Sequence, residues 1–75
     1  MQEGNKSIFK KRLEIGDQLR EEIKNQGIAI EQIEKKSVSK TIIYNMLNGN
    51  NYTIGSLLLV VEVLKIKNKS FKITV

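Results

Sequence analysis

The chain has 75 residues and a formal net charge of +5, and it contains no cysteine, histidine or proline. This length indicates one small domain, and the absence of cysteine and histidine excludes disulfides and the usual zinc sites. For the same reason we expect no metal and no cofactor. No apolar run could span a bilayer and the first residues lack a signal-peptide core, so we expect a cytoplasmic protein with no membrane association.

A polar tail and one helix are predicted at the start of the chain. Residues 1–7 are polar and predict a disordered N-terminal tail. Apolar residues then recur at helical spacing and stop before Gly27. Because Gly16 weakens this pattern locally, we expect a helix from about Ile15 to Asn25, preceded by a separate turn or strand.

A second short helix and a turn are predicted next. Ile30 and Ile33, with Ile28 ahead of them, form the apolar face of this helix. Residues 35–38 then make the turn, in which Val38 points inward.

The third predicted helix has a capping signal at each end. Ser39 carries a hydroxyl that suits an N-cap, and Asn48-Gly49 is a pair that tolerates the left-handed conformation at a helix end. The apolar residues at helical spacing between these signals are Ile43, Met46 and Leu47. A short helix with this buried face and a cationic, amide-rich outer face suits the major groove of DNA.

A fourth helix completes an all-α domain over residues 8–66. Thr53 is expected to cap it. The residues expected to form its core face are Leu57, Leu58, Val60, Val61 and Leu64. The expected fold is a bundle of four to five short helices.

The last residues, 67–75, predict a short strand. Phe71, Ile73 and Val75 alternate with polar residues, as on one face of a strand. A single strand has no sheet to join within a helical domain. We therefore expect it to pair with a second copy and make the protein a homodimer. Pairing with residues 7–11 of the same chain is the alternative.

The charges are unevenly distributed along the chain. Residues 13–34 contain six carboxylates and two cations, whereas residues 35–52 contain three lysines and no acid. A positive block of this kind favours phosphate binding. A solvated, lysine-rich surface explains it about equally well.

Together these segments resemble the helix-turn-helix of lambda-repressor-like (Xre/Cro-type) transcriptional regulators. The residues that carry the resemblance run from Gly27 to Ile33, from Val38 to Gly49, and from Thr53 into the fourth helix. With the first helix, the resemblance covers about Ile15 to Leu64. It implies a compact lambda-repressor-like bundle, DNA recognition by the third helix and a dimer on a near-palindromic site. Glu34 stands where the family usually has a small residue.

The resemblance also assigns roles to single residues. Base contacts are expected from Lys40, Thr41, Tyr44 and Asn45. Contacts to the DNA backbone are expected from Lys35, Lys36, Ser39, Asn48, Asn50, Asn51 and Tyr52. Plainer explanations exist: Ser39 is a helix cap, Tyr44 covers the rim of the core, and the asparagines shape a turn.

The expected function is that of a transcriptional regulator that binds double-stranded DNA sequence-specifically. We expect it to act as a repressor. The alternative is a protein-interaction function, either as a DNA-binding antitoxin that neutralises a cognate toxin or as an accessory module that binds another protein. Catalysis is not expected, because the chain lacks histidine, cysteine and a glycine-rich phosphate loop.

Overall fold

The computed structural model describes the backbone of residues 2–74 and the side chains of residues 8–74. In this part of the chain there are four helices: α1 (Gln2–Gln26), α2 (Ile30–Lys36), α3 (Lys40–Leu47) and α4 (Ile54–Lys65). The all-α prediction is confirmed.

The core lies where the apolar sides of the four helices meet. Its buried residues are Leu19, Ile33, Ile43, Met46, Leu47, Leu57, Val60, Val63 and Leu64. α1 packs mainly against α3, and α2 contacts both α3 and α4. Among the described side chains, none of the fully buried ones is polar or charged. Burial of apolar surface is therefore the main stabilising contribution.

α1 is longer than the sequence pattern predicts. It begins at Gln2, so the backbone of residues 2–7 is helical where a disordered tail was expected. Met1, the rest of that predicted tail, lies outside the described residues. The helix continues to Gln26 without a break, so the predicted turn or strand ahead of Ile15 is also wrong.

Gly16 explains how α1 and α3 approach each other. A Cβ atom built at this position would lie 2.7 Å from the carbonyl oxygen of Met46 and 2.8 Å from that of Leu47. Real Cβ atoms do not come this close to backbone oxygens, so only glycine fits here without a shift of one helix. The residue that weakens α1 locally is thus needed for its packing.

The turn between α2 and α3 is shorter than predicted. Lys35 and Lys36 belong to the last turn of α2, and only residues 37–39 connect the two helices. The Ser37 hydroxyl donates a hydrogen bond to the carbonyl oxygen of Ile33 at 2.7 Å, which satisfies a free carbonyl at the end of α2. Val38 is half-buried against the core, as predicted.

The predicted core face of α4 is only partly confirmed. Leu57, Val60 and Leu64 are buried and Val61 is half-buried, but Leu58 is 58% exposed. α4 has more apolar residues than one side of a helix can bury against the bundle. An exposed apolar patch therefore remains on its outer side, formed by Ile54, Leu58 and Leu59.

The tail does not form the predicted strand. Phe71 and Ile73 are half-buried against the core of their own chain. Gln18 of α1 holds the backbone beyond them: its Nε2 donates to the Thr74 carbonyl at 2.6 Å, and its Oε1 accepts from the Thr74 N–H at 2.7 Å. These hydrogen bonds are thus with Gln18, in the middle of α1, and not with residues 7–11 of the same helix. Val75, the third residue of the predicted dimerisation strand, lies outside the described residues.

Candidate nucleic-acid interface

The outer side of α3 brings the four predicted base-contacting residues together. Ile43, Met46 and Leu47 occupy the buried side of the helix, as predicted. The residues on the opposite side, which are exposed or half-buried, are Lys40, Thr41, Tyr44, Asn45 and Asn48. A helix of eight residues is too short to be stable alone. Packing of its buried side against the core therefore holds α3 in place, with its polar side facing solvent.

Two acceptors hold the N-terminus of α3. The Ser39 Oγ accepts a hydrogen bond from the Ile42 N–H at 3.5 Å, which confirms the predicted cap. Across the turn, the Oε2 of Glu34 accepts from the Lys40 N–H at 3.1 Å. Glu34 thus joins the end of α2 to the start of α3, a role that its carboxylate can fill and a small apolar residue cannot. This contact helps to set the angle between the two helices.

Lys40, the first residue of α3, is held by an ion pair. Its Nζ lies 2.9 Å from the Oε2 of Glu31 on α2, and both side chains are largely exposed. The hydrogen bond to Lys40 lowers the pKa of the Glu31 carboxyl, and the same hydrogen bond raises the pKa of Lys40. Lys40 is therefore positioned and fully charged at neutral pH, but part of its charge is offset.

The C-terminal end of α3 is contacted by a cation from α1 that the sequence did not single out. Arg20 donates from Nη2 to the Oδ1 of Asn48 at 2.8 Å and to the carbonyl oxygen of Leu47 at 3.3 Å. Arg20 and Lys24 also line a shallow depression beside Tyr44, of about 360 Å³. Part of the positive charge near α3 thus comes from Arg20 and Lys24, although residues 13–34, to which they belong, carry a net negative charge.

A spacing signal could have identified Arg20 and Lys24. They lie four residues apart, and each directly follows an apolar residue that faces the bundle, Leu19 and Ile23. Net charge counted along residues 13–34 hides such a pair, because it adds together carboxylates from both α1 and α2 whatever direction they face.

The predicted backbone-contacting residues are divided among different surfaces. Asn50 and Asn51 are exposed in the loop after α3. Tyr52 is half-buried against the core, and desolvation raises the pKa of its phenol, an effect that the nearby Arg12 opposes. Lys35 and Lys36 line a separate groove between α2 and the end of α4. Lys35 and Lys36 thus line a different feature of the surface from the depression beside Tyr44, and Tyr52 is partly withdrawn into the core.

Gly49 shapes the loop that follows α3. It has a φ of +78°, the left-handed conformation expected for the Asn48-Gly49 pair. A Cβ there would also lie 2.7 Å from the Cδ2 of Leu13 on α1. The loop is thus placed by its own backbone and by contact with α1. The next helix begins at the predicted cap, since the Thr53 hydroxyl accepts from the Ser56 N–H at 3.2 Å.

Comparison with known proteins found no family model, no curated protein and no solved structure that matches the chain. In the described part of the chain, no group of acidic, histidine or cysteine side chains could hold a metal ion. None of the helices described is both long and apolar enough to cross a membrane.

Proposed function

We propose that this protein is a sequence-specific regulator of transcription, of the lambda-repressor-like (Xre/Cro-type) class, that reads the major groove of duplex DNA with α3. The observation that carries the proposal is the division of this helix into two sides. One side is buried in the core, and the other presents lysine, threonine, tyrosine and asparagine from a rigid base. Side chains of these types are the ones that recognise base edges.

The roles follow from position along α3. Lys40 and Thr41 lie in the first turn and would reach furthest into the groove, toward guanine and thymine respectively. Asn45, one turn later, has the paired donor and acceptor that match adenine, and Tyr44 contacts base or backbone beside it. The residues left to hold the phosphates are Ser39, Asn48, Asn50 and Asn51, with Arg20 and Lys24 added from α1.

Selection of bound duplexes from a random pool tests this proposal. We expect enrichment of one motif, and an affinity for it that falls steeply with salt, with a log–log slope of about −0.9 for each neutralised phosphate. Equal and weak binding to all duplexes would contradict the proposal, because it would indicate general attraction between a basic protein and a polyanion.

The proposal includes a homodimer, for which α4 offers the better surface. Phe71 and Ile73 are engaged within their own chain, whereas the outer side of α4 exposes Ile54, Leu58 and Leu59. A two-fold pair would bury this patch. To read two half-sites, such a dimer must also hold its two copies of α3 about 34 Å apart, one turn of DNA.

Sedimentation of the full chain tests the dimer. We expect the unmodified protein to dimerise and Leu58→Glu to be monomeric, while Lys69→Glu, an exposed change away from α4, stays dimeric. A monomer at high micromolar concentration in the unmodified protein would remove the dimer from the proposal.

A second candidate function is protein interaction, as an antitoxin or an accessory module. The exposed patch on α4 favours it too, because a partner protein could cover these residues instead of a second copy. A small toxin-like reading frame beside the gene, together with a monomeric protein that captures that toxin through Leu58, would support this function.

A further inference from the structure

A groove of about 310 Å³ lies between α2 and the end of α4. It shares no lining residue with the depression beside Tyr44, so the two are separate features of the surface. The groove has an apolar floor and a basic rim, and neither part is used by the α3 surface.

Three apolar residues form the floor. Val63 is buried and Ile28 is half-buried, but Ile66, just beyond the end of α4, is 60% exposed. An exposed isoleucine beside a concave apolar surface leaves room for another apolar side chain. Such a side chain would lose its contact with water on entering, which is the main favourable contribution to binding at sites of this kind.

Three lysines form the rim: Lys35 and Lys36 at the end of α2, and Lys67 after α4. No carboxylate lines the groove, and none of the three lysines forms an ion pair among the described residues. The only other polar lining residue is Gln32, whose Oε1 accepts a hydrogen bond from the Ala29 N–H. The rim thus carries a positive charge that nothing within the groove offsets.

We propose that this groove binds an acidic peptide segment of a partner protein. A short apolar stretch of the segment packs on Ile28, Val63 and Ile66, and carboxylates on either side of it pair with the three lysines. Charge complementarity selects an acidic occupant, and the apolar floor distinguishes it from DNA, whose phosphates have no apolar side chain to insert.

Binding of a defined peptide to the full chain tests this inference. The probe is a fluorescein-labelled peptide of glutamates interrupted by Leu-Phe, measured by fluorescence anisotropy at physiological salt. We expect saturable binding, and a loss of about tenfold or more when Leu-Phe is replaced by Ser-Ser. Equal binding of the two peptides would overturn the proposal, because the floor would then contribute nothing.

Charge variants locate the peptide on the protein. Lys35→Glu/Lys36→Glu should weaken binding by about tenfold or more. The matched control Lys69→Glu/Lys72→Glu makes the same change in net charge outside the groove and should weaken it by no more than about twofold. Equal losses would show that net charge alone attracts the peptide, which would overturn the proposal.

Two further measurements complete the test. Ile66→Ser alters the floor at an exposed position, so it should weaken peptide binding without lowering the thermal unfolding temperature. It also tests the groove if the double charge variant fails to fold. Duplex DNA, added as a competitor, should not displace the peptide. Displacement by DNA, with the same dependence on Lys35 and Lys36, would identify the groove as a phosphate site instead.

Discussion

Glu31 on α2 and Lys40 at the start of α3 form an ion pair, with 2.9 Å between the carboxylate oxygen and the ammonium nitrogen. Both side chains are exposed, so water and salt screen their attraction. In the proposed complex, the same lysine would have to exchange this carboxylate for a base or a phosphate. Glu31 would then act as an intramolecular competitor of DNA.

Glu31→Gln should therefore strengthen DNA binding. The change removes the competing charge but keeps the size of the side chain, so we expect several-fold tighter binding to the best duplex in a titration at fixed salt. Glu21→Gln is the control, because it removes one exposed negative charge from α1 without breaking an ion pair of the described residues. An equal gain in both variants would show that only net charge matters.

Substitutions on α3 should separate base reading from general attraction. Lys40→Ala, Thr41→Ala and Asn45→Ala should each cost about 1–3 kcal/mol of binding free energy on the best duplex and relax the preference at one base position. Lys69→Ala should instead weaken binding to all duplexes slightly and equally. If Lys40→Ala left both affinity and motif unchanged, α3 would not be the reading helix.

The ion pair also predicts a pH dependence with a definite sign. The pKa of Glu31 lies below its ordinary value of 4.5 in the folded protein, mainly because of the hydrogen bond from Lys40. This contact therefore stabilises the fold above pH 4.5, and the contribution is lost as the pH falls through the lowered pKa. In a carboxyl NMR titration, Lys40→Met should raise the midpoint of Glu31, whereas Lys69→Met should leave it in place. No rise in Lys40→Met would mean that the pair is not formed in solution.

Gly16→Ala should destabilise the protein. The added methyl group would lie 2.7 Å from the Met46 carbonyl oxygen, so α1 and α3 must separate, at a cost of about 1–3 kcal/mol in the free energy of unfolding. Gly55→Ala on α4 is the matched control, since nothing lies within 4 Å of its added Cβ. Urea denaturation should show a loss for Gly16→Ala and little change or a small gain for Gly55→Ala. Equal stability of the two variants would contradict the close packing of α1 on α3.

Removal of the residues after Lys67 should lower stability rather than change the oligomeric state. The truncation exposes the core that Phe71 and Ile73 cover, at a cost of about 1–3 kcal/mol. Gln18→Ala should reproduce part of this loss, because it removes both hydrogen bonds to Thr74. Glu21→Ala on α1 is the control. If the truncation instead converted a dimer to a stable monomer, the tail would be the dimer interface.

Local signals in the sequence correctly predicted the middle of the fold. Ser39 and Thr53 cap the helices they precede, Asn48-Gly49 ends α3, and the inner face of α3 is the one its spacing indicates. A capping bond joins residues two or three positions apart, and the face of a helix follows from its period. Such features need no knowledge of the rest of the chain, which is why they were predictable.

Contacts between distant segments were decided only by the tertiary structure. Gly16 is a packing residue because α3 lies against it, and Arg20 reaches Asn48 for the same reason. The alternating pattern of the tail predicted a strand. In the structure, Gln18 of α1 hydrogen-bonds its backbone, and Phe71 and Ile73 pack against the core. Apolar patterning shows which residues are stabilised by burial, but not which segment of the chain or second molecule covers them. That choice depends on the competition among all the surfaces that the folded chain brings within reach.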